Sequence, residues 1–181
     1  MSGTQKKILD LGCGNKKRPG AIGVDCYNRT AADVIHDLNV FPYPFQDATF
    51  DEIYLDNTLE HLDDVLKVME EVHRISKPGG LVKVIVPYFR SRWAFVDPTH
   101  RHFFTVDSFA YFDPDHIIGK TYPYSLARFK QDKIIFNENI PVCAAMGLIK
   151  KLANRWQSRY ERFLSHLIPL DDLTYYLLTV K

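Results

Sequence analysis

The chain has little cysteine and no long apolar run. Its three cysteines, Cys13, Cys26 and Cys143, have neither the even number of a disulfide framework nor the paired spacing of a zinc site. We interpret them as small apolar residues of a protein in a reducing compartment. No uninterrupted apolar run approaches the roughly 18 residues that a transmembrane helix needs. Residues 1–7 are polar and lack the apolar core of a signal peptide, which predicts a cytoplasmic location.

An excess of charge of either sign is also absent. The chain has 23 Lys and Arg against 22 Asp and Glu, a formal net charge of +1, so its overall charge does not favour nucleic acid as a partner. Its composition is that of an ordinary globular protein. With 181 residues it is long enough for one domain with a full hydrophobic core, which we place over residues 1–181.

The stretch Ile8–Gly14 organises the first half of the chain. Its apolar residues predict a short buried strand, and Gly12 and Gly14 predict a tight turn that a ligand can approach closely. Because ligands of open α/β sheets bind beyond the carboxyl ends of the strands, this turn is a candidate cofactor site. A plain turn between a strand and a loop is the alternative.

The third glycine of a dinucleotide-binding fingerprint is missing, because Lys17 stands in its place. Asp25, at the end of a second predicted strand over 21–25, comes too early to be the acid of that fingerprint. A nicotinamide cofactor is therefore disfavoured. The carboxylate of Asp25 could still accept hydrogen bonds from two ribose hydroxyls, or simply belong to a turn.

Short apolar strands alternate with loops and one clear helix, which predicts a largely parallel α/β sheet. Apolar residues between Leu62 and Val72 recur at helical spacing, and Lys77–Gly80 ends the helix. Further strands are predicted over 32–38, 50–55 and 81–87.

The first half resembles the class I S-adenosylmethionine-dependent methyltransferases of the type 11 kind. The resemblance covers residues 8–87 and lies in Ile8–Gly14, Val24–Asp25, Phe50–Ile53 with Leu59–His61, and Val72–Ile75 with Lys77–Leu81. It implies a Rossmann-like, mostly parallel sheet of about seven strands with an antiparallel last strand, and S-adenosylmethionine as the cofactor.

The resemblance also implies a role for each matching residue. The turn with Asp10, Gly12, Cys13 and Gly14 would hold the methionine end, and Asp25 the ribose hydroxyls. Asp37 and Leu38 would contact the adenine, and Asn57 would lie near the methyl group. Most members have a helix after the glycines, where this chain has a loop, so the anchor of the methionine carboxylate is open among Lys16, Lys17 and Arg18.

Residues 88–125 are rich in aromatic side chains and arginine. Because they follow the fifth strand, they are interpreted as a lid or substrate wall, with a hydrophobic cap on the core as the alternative. A short helix is predicted over 106–112.

His100 and His102 are the candidate catalytic residues. Either could take a proton from an acceptor as it is methylated, and a structural role in the loop is the alternative. In an extended chain both would point to one side and, with Asp97, could form a two-His, one-carboxylate metal site. We expect no metal there, because no second motif supports it. Glu60 and His61 match the family motif. The alternative is that they merely cap the following helix and pack.

The C-terminal part, 126–181, is predicted to contain strands over 129–136 and 173–180 and, between them, a helix over 146–167. This helix is interpreted as an insertion that covers the site or forms a dimer contact. Its basic stripe is interpreted as a solvated face, or as a contact for an anionic ligand. The stripe consists of Lys151, Arg155, Arg159, Arg162 and His166.

These patterns predict a transferase that moves a methyl group from S-adenosylmethionine, giving S-adenosylhomocysteine, to an acceptor that the sequence does not identify. A small molecule is favoured as the acceptor, nucleic acid is unsupported, and a homodimer is open. The alternative is a methyltransferase-like module that binds cofactor or a partner without turnover.

Overall fold

The computed structural model describes residues 6–141 and 143–181. Seven strands form one sheet in the order β3-β2-β1-β4-β5-β7-β6. Strands β1 to β5 run parallel to one another, whereas β7 is antiparallel to both β5 and β6. The strands are β1 Ile8–Leu11, β2 Ala21–Asp25, β3 Val34–Ile35, β4 Phe50–Asp56, β5 Ser76–Pro87, β6 Arg128–Phe136 and β7 Asp172–Val180. This architecture confirms the predicted fold class.

Five α-helices accompany the sheet in the described part of the chain. They are α1 Val65–Ile75, α2 Trp93–Val96, α3 Ile117–Thr121, α4 Ala144–Arg155 and α5 Gln157–Phe163, with 3-10 turns at Leu59–His61 and Ala110–Phe112. Helix α1 begins where predicted, because the Asp64 side chain accepts a hydrogen bond from the Lys67 amide at 3.1 Å. None of the helices in residues 6–141 and 143–181 combines the length and the apolar character needed to cross a bilayer.

The core lies on one face of the central strands, where the strand register brings apolar side chains together. Leu9 and Leu11 of β1, Ile53 of β4 and Val84 of β5 are fully buried. Helix α1 contributes Met69 and three other buried residues. Tyr54 of β4 and Lys83 of β5, at the alternate positions, are only partly buried, so burial alternates over the central part of these two strands.

Four elements differ from the sequence-based prediction. Strand β3 has only two residues, because its pairing is limited to β2 at the edge of the sheet. Strand β5 begins at Ser76, since the segment before Leu81 also extends along the sheet. The predicted helix over 106–112 is only a 3-10 turn at Ala110–Phe112. The single helix predicted over 146–167 is two helices, because the backbone leaves helical geometry at Trp156, with φ −132° and ψ 59°.

The aromatic segment 88–125 contains both buried residues, as expected for a hydrophobic cap, and exposed residues, as expected for a lid or substrate wall. Tyr88, Phe104, Phe109 and Phe112 are buried in the core, as the cap interpretation predicts. Other aromatic residues of the segment are exposed and include Trp93, Phe95, Phe103, Tyr122 and Tyr124.

Candidate functional site

A cavity of about 560 Å³ lies at the carboxyl ends of β1, β2 and β4. We call it the first cavity, and its size is in the range of small-molecule sites. Six of the eight residues predicted to bind cofactor line it: Gly12, Gly14, Asp25, Asp37, Leu38 and Asn57. The other two, Asp10 and Cys13, do not.

The glycine turn at the base of the first cavity depends on Gly12. Its φ of +71° lies in the left-handed region, and its amide donates to the Val24 carbonyl at 2.8 Å. A Cβ atom at this position would lie 2.4 Å from the Thr58 hydroxyl oxygen. Thr58 follows β4, so glycine allows the turn after β1 to approach the end of the neighbouring strand.

Asp10 and Cys13 pack against the protein on the side of the turn away from the first cavity. Asp10 is buried, and its carboxylate accepts a hydrogen bond from the Arg18 amide at 2.8 Å. Burial raises the pKa of this carboxyl group, which the Arg18 hydrogen bond partly offsets. The Cys13 sulfur lies against Gly23 of β2, where an added Cβ would be 2.8 Å from it. Both side chains therefore contact the protein rather than the first cavity.

Asp25 faces the first cavity and is already hydrogen bonded. Its two carboxylate oxygens accept from the Gly14 amide at 2.9 Å and from the Tyr27 amide at 3.0 Å. A carboxylate has about four acceptor positions, so it retains capacity for hydroxyl donors. At the predicted adenine contact, Asp37 accepts from the Asn39 amide at 2.9 Å.

Residues 12–20 between β1 and β2 contain no helix, as predicted. Two of the three candidate anchors in this loop are ion-paired elsewhere. Lys17 contacts both carboxylate oxygens of Asp33, at 2.7 and 2.8 Å, and Arg18 pairs with Asp56 at 2.5 Å. Lys16 is exposed and has no salt bridge among the described residues.

A second cavity, of about 480 Å³, adjoins the first. The two cavities share Asn57 and His61 in their linings, so these residues mark the boundary between them. The other lining residues of the second cavity come from the 3-10 turn after β4, from β5, from the aromatic segment, from the loop after β6 and from the start of β7. They are Glu60, Pro87, Trp93, Val96, Asp97, His100, Ile140, Asp171 and Asp172.

Glu60, His61 and His100 form one cluster in the second cavity, with one ligand atom from each within 4.8 Å of the others. Burial raises the pKa of Glu60 to about 7, and neither of its carboxylate oxygens has a hydrogen-bond partner. Burial also lowers the pKa of His61, and nearby His100 adds to the effect. The imidazole rings of His61 and His100 lie 4.6 Å apart.

His102 lies apart from this cluster. Its Nε2 donates to the Leu62 carbonyl at 2.8 Å, and it does not line the second cavity. His100 and His102 therefore do not point to one side, as they would in an extended chain. The loop turns at residues 98–99, which brings His100 to His61 and directs His102 to the segment before α1.

Asp172 is a half-buried acid of this cavity. Burial, together with the adjacent Asp171, raises the pKa of Asp172 to about 6. One of its carboxylate oxygens has no hydrogen-bond partner. Strand β7 begins at this residue, so the antiparallel strand places an acid at the edge where the parallel strands end.

Sequence reasoning missed several residues of the first cavity. Tyr27 and Thr30 follow Asp25 in the loop after β2, and their closeness to that acid is a signal that could have been used. Thr99 comes from the distant aromatic segment, and no local pattern indicates it. The missed lining residues are Cys26, Tyr27, Thr30, Asn39, Thr58, His61, Leu62 and Thr99.

Comparison with known proteins agrees with this geometry. Residues 9–84 match the model of the family described as "Methyltransferase domain". A demethylmenaquinone methyltransferase from Lysinibacillus sphaericus (strain C3-41) is 42% identical over 50 residues, which are 28% of this chain and 21% of the relative. The match thus spans about a fifth of that relative's length.

Solved structures share the fold along nearly the whole chain. A SAM-dependent methyltransferase from Archaeoglobus fulgidus has a TM-score of 0.58 at 18% identity, covering 96% of this chain and 86% of that one. An S-adenosylmethionine-dependent methyltransferase from Mesorhizobium loti has a TM-score of 0.59 at 15% identity, covering 96% and 90%.

The family match covers all the lining residues of the first cavity except Thr99, and the sheet order extends the agreement to the C-terminal strands. S-adenosylmethionine is the cofactor that this family implies. Residues 9–84 therefore match a methyltransferase family, and the chain as a whole has the fold of S-adenosylmethionine-dependent methyltransferases.

Proposed function

We propose that the protein transfers the methyl group of S-adenosylmethionine to a small-molecule acceptor. The observation that carries this proposal is the pair of adjoining cavities that meet at Asn57 and His61. The first has the glycine turn and acids of a cofactor site, and the second is large enough for a small molecule. A donor and an acceptor bound in them would face each other across this boundary.

In the first cavity, the Gly12–Gly14 turn would contact the methionine end of the cofactor. Asp25 would accept from the ribose hydroxyls, Asp37 and Leu38 would contact the adenine, and Asn57 would lie near the methyl group. Lys16, which has no salt bridge among the described residues, is the candidate for the methionine carboxylate. Asp10 and Cys13 would act by supporting the turn.

In the second cavity, the role of the protein would be to position the acceptor and to manage its proton. The sulfonium methyl group is already activated, so alignment of donor and acceptor supplies much of the rate. The Glu60–His61–His100 cluster is the group of titratable residues beside this boundary. His100 is therefore proposed to act on the acceptor, and His102 is not.

Calorimetric titration with S-adenosylmethionine and S-adenosylhomocysteine tests the cofactor proposal, with NADH as the control ligand. We expect saturable binding of the first two only. Asp25→Ala should weaken it roughly 100-fold or more, because it removes two charge-assisted hydrogen bonds worth about 1.5–3 kcal/mol each. Asp132→Asn, an exposed change on β6, is the control variant.

No binding of either compound to folded protein would contradict the proposal. It would favour the alternative of a module that uses the fold without this cofactor. The loop at 12–20 is the observation behind that alternative, since it lacks the helix that most members have and since Lys17 and Arg18 are ion-paired to Asp33 and Asp56.

An acceptor screen with radiolabelled S-adenosylmethionine tests the role of His100. Once an acceptor is found, His100→Ala should reduce kcat by roughly 100-fold or more without changing cofactor affinity. His102→Ala is the matched control from the same loop and should retain most of the turnover. Equal losses in the two variants would contradict the assignment.

A further inference from the structure

Three side chains with metal-ligating atoms converge in the second cavity. Glu60 and His61 belong to the 3-10 turn after β4, and His100 comes from the loop that follows α2. One carboxylate oxygen and two imidazole nitrogens lie within 4.8 Å of one another. Two histidines and one carboxylate are the donor set of many catalytic sites for divalent metal ions.

The buried Glu60 carboxylate is the group in the cavity whose charge most needs a partner. The residue is 1% exposed, and both of its carboxylate oxygens are buried with no hydrogen-bond partner in the described part of the chain. A buried carboxylate without partners is costly, and paired charges or metal coordination are the usual remedies. No Lys or Arg forms a salt bridge with it among the described residues.

Hydrogen bonds fix the tautomers of both histidines. The Nδ1 of His100 lies 3.1 Å from the Ala94 carbonyl, which can only accept, so Nδ1 carries the proton. The Nδ1 of His61 lies 2.8 Å from the Thr99 hydroxyl oxygen, and that hydroxyl donates to Asp97 at 2.7 Å. His61 therefore also donates through Nδ1.

Each ring thus has Nε2 as the nitrogen with a free lone pair. A ligating imidazole ordinarily donates its other N–H to a carbonyl, a carboxylate or a comparable acceptor, as both rings do here. The series Asp97–Thr99–His61 would orient one ligand, and the Ala94 carbonyl would orient the other. Such an outer layer of contacts is not needed if the three residues only pack together.

We propose that Glu60, His61 and His100 bind a divalent first-row transition metal ion at the inner end of the second cavity. The imidazole ligands favour Mn²⁺, Fe²⁺, Co²⁺ or Zn²⁺ over Ca²⁺ and Mg²⁺, which prefer oxygen donors. The residues differ from the set suggested by the sequence, because His61 and Glu60 replace His102 and Asp97.

The metal site also indicates the class of acceptor, an inference that rests on the proposed function. Three protein ligands leave positions open for an oxygen of the acceptor, whose pKa the ion would lower. That oxygen would form a bond to the methyl carbon while the carbon–sulfur bond breaks and its electron pair stays on sulfur. The hydroxyl proton leaves to water, so the acceptor class is a hydroxyl compound.

Titration of chelator-treated protein with Mn²⁺, followed by calorimetry and by loss of the free-ion EPR signal, tests the site. We expect one ion per chain and competition by Zn²⁺. Glu60→Gln and His100→Ala should each weaken Mn²⁺ binding roughly 10- to 100-fold or more, and Thr99→Val roughly 10-fold, since it removes only an orienting contact. His166→Ala, at an exposed position, should leave the affinity unchanged.

Melting curves recorded without metal are the control for correct folding of the variants. Glu60→Gln should melt at the same temperature or higher, because it removes an unpartnered buried charge. Absence of saturable Mn²⁺ and Zn²⁺ binding to the wild-type protein would overturn the proposal, as would unchanged affinity in Glu60→Gln.

Titration of the same samples with S-adenosylmethionine separates this proposal from the proposed function. Metal binding without cofactor binding would support the site and overturn the function. Cofactor binding without metal binding would support the function and overturn the site.

Discussion

Single residues define the base of the first cavity, and Gly12 is the most constrained of them. It needs glycine for two independent reasons, its left-handed backbone and its contact with Thr58. Gly20 also has a left-handed backbone, with φ +76°, but has no atom within 4 Å of an added Cβ. A substitution at Gly20 therefore introduces backbone strain alone, whereas the same substitution at Gly12 introduces both backbone strain and steric overlap with Thr58.

Gly12→Ala should lower the free energy of unfolding by roughly 2–4 kcal/mol and strongly weaken cofactor binding. Gly20→Ala should cost about 1–2 kcal/mol, from backbone strain alone, and leave cofactor affinity nearly unchanged. Urea denaturation and calorimetry of both variants measure the difference. Equal losses of stability would mean that the Thr58 contact contributes nothing.

At the scale of elements, the aromatic segment 88–125 contains both core and surface residues. Phe109 is 1% exposed and lies 4.6 Å, ring to ring, from Tyr175 of β7. Phe95, at the end of α2, is 65% exposed and stacks on Phe103 at 4.9 Å. The segment therefore packs on the core through its buried rings, such as Phe109, and has exposed rings, of which Trp93 lines the second cavity.

Phe109→Ala should reduce the free energy of unfolding by about 3–5 kcal/mol, because it leaves a cavity in a packed core. Phe95→Ala should reduce it by about 1 kcal/mol or less, since it removes only an exposed stacking contact. Chemical denaturation tests both. A large loss of stability in Phe95→Ala would show that α2 also belongs to the core.

At the scale of the whole molecule, the sheet collects acids at one edge. Asp25 ends β2, Glu60 follows β4, and Asp172 begins β7 beside the end of β5. This common edge explains why both cavities lie there and why stability should depend on pH. Asp172 is the clearest test, because one oxygen of its carboxyl group is buried without a hydrogen-bond partner among the described residues.

The pKa of Asp172 is about 6 in the folded protein, above its ordinary value of 3.8, so the folded state binds the proton more tightly. Its contribution to stability is greatest below pH 4 and is lost as the pH rises through about 6. Asp172→Asn should therefore be more stable than wild type by roughly 1–3 kcal/mol at pH 7 and nearly equal to it at pH 4.

Urea denaturation across pH 4–8 measures this difference, with Asp132→Asn at an exposed position of β6 as the control. A difference between Asp172→Asn and wild type that stays constant with pH would contradict a raised pKa for Asp172. The result concerns stability alone, so it holds whether or not an acceptor is known.

The sequence by itself determined the elements whose signals are local. Strands β1 and β2, the glycine turn and the start of α1 follow from runs of neighbouring residues, and the structure places them where predicted. Six of the eight predicted cofactor residues lie in the first cavity, because parallel strands bring their carboxyl ends to one edge.

Only the tertiary structure decided what distant segments do together. It divided the aromatic rings between core and surface, broke the C-terminal helix at Trp156, and paired Arg18 with Asp56. It also joined His100 to Glu60 and His61 rather than to His102. Side chains far apart in sequence meet only through loop paths and packing, and no local periodicity records those.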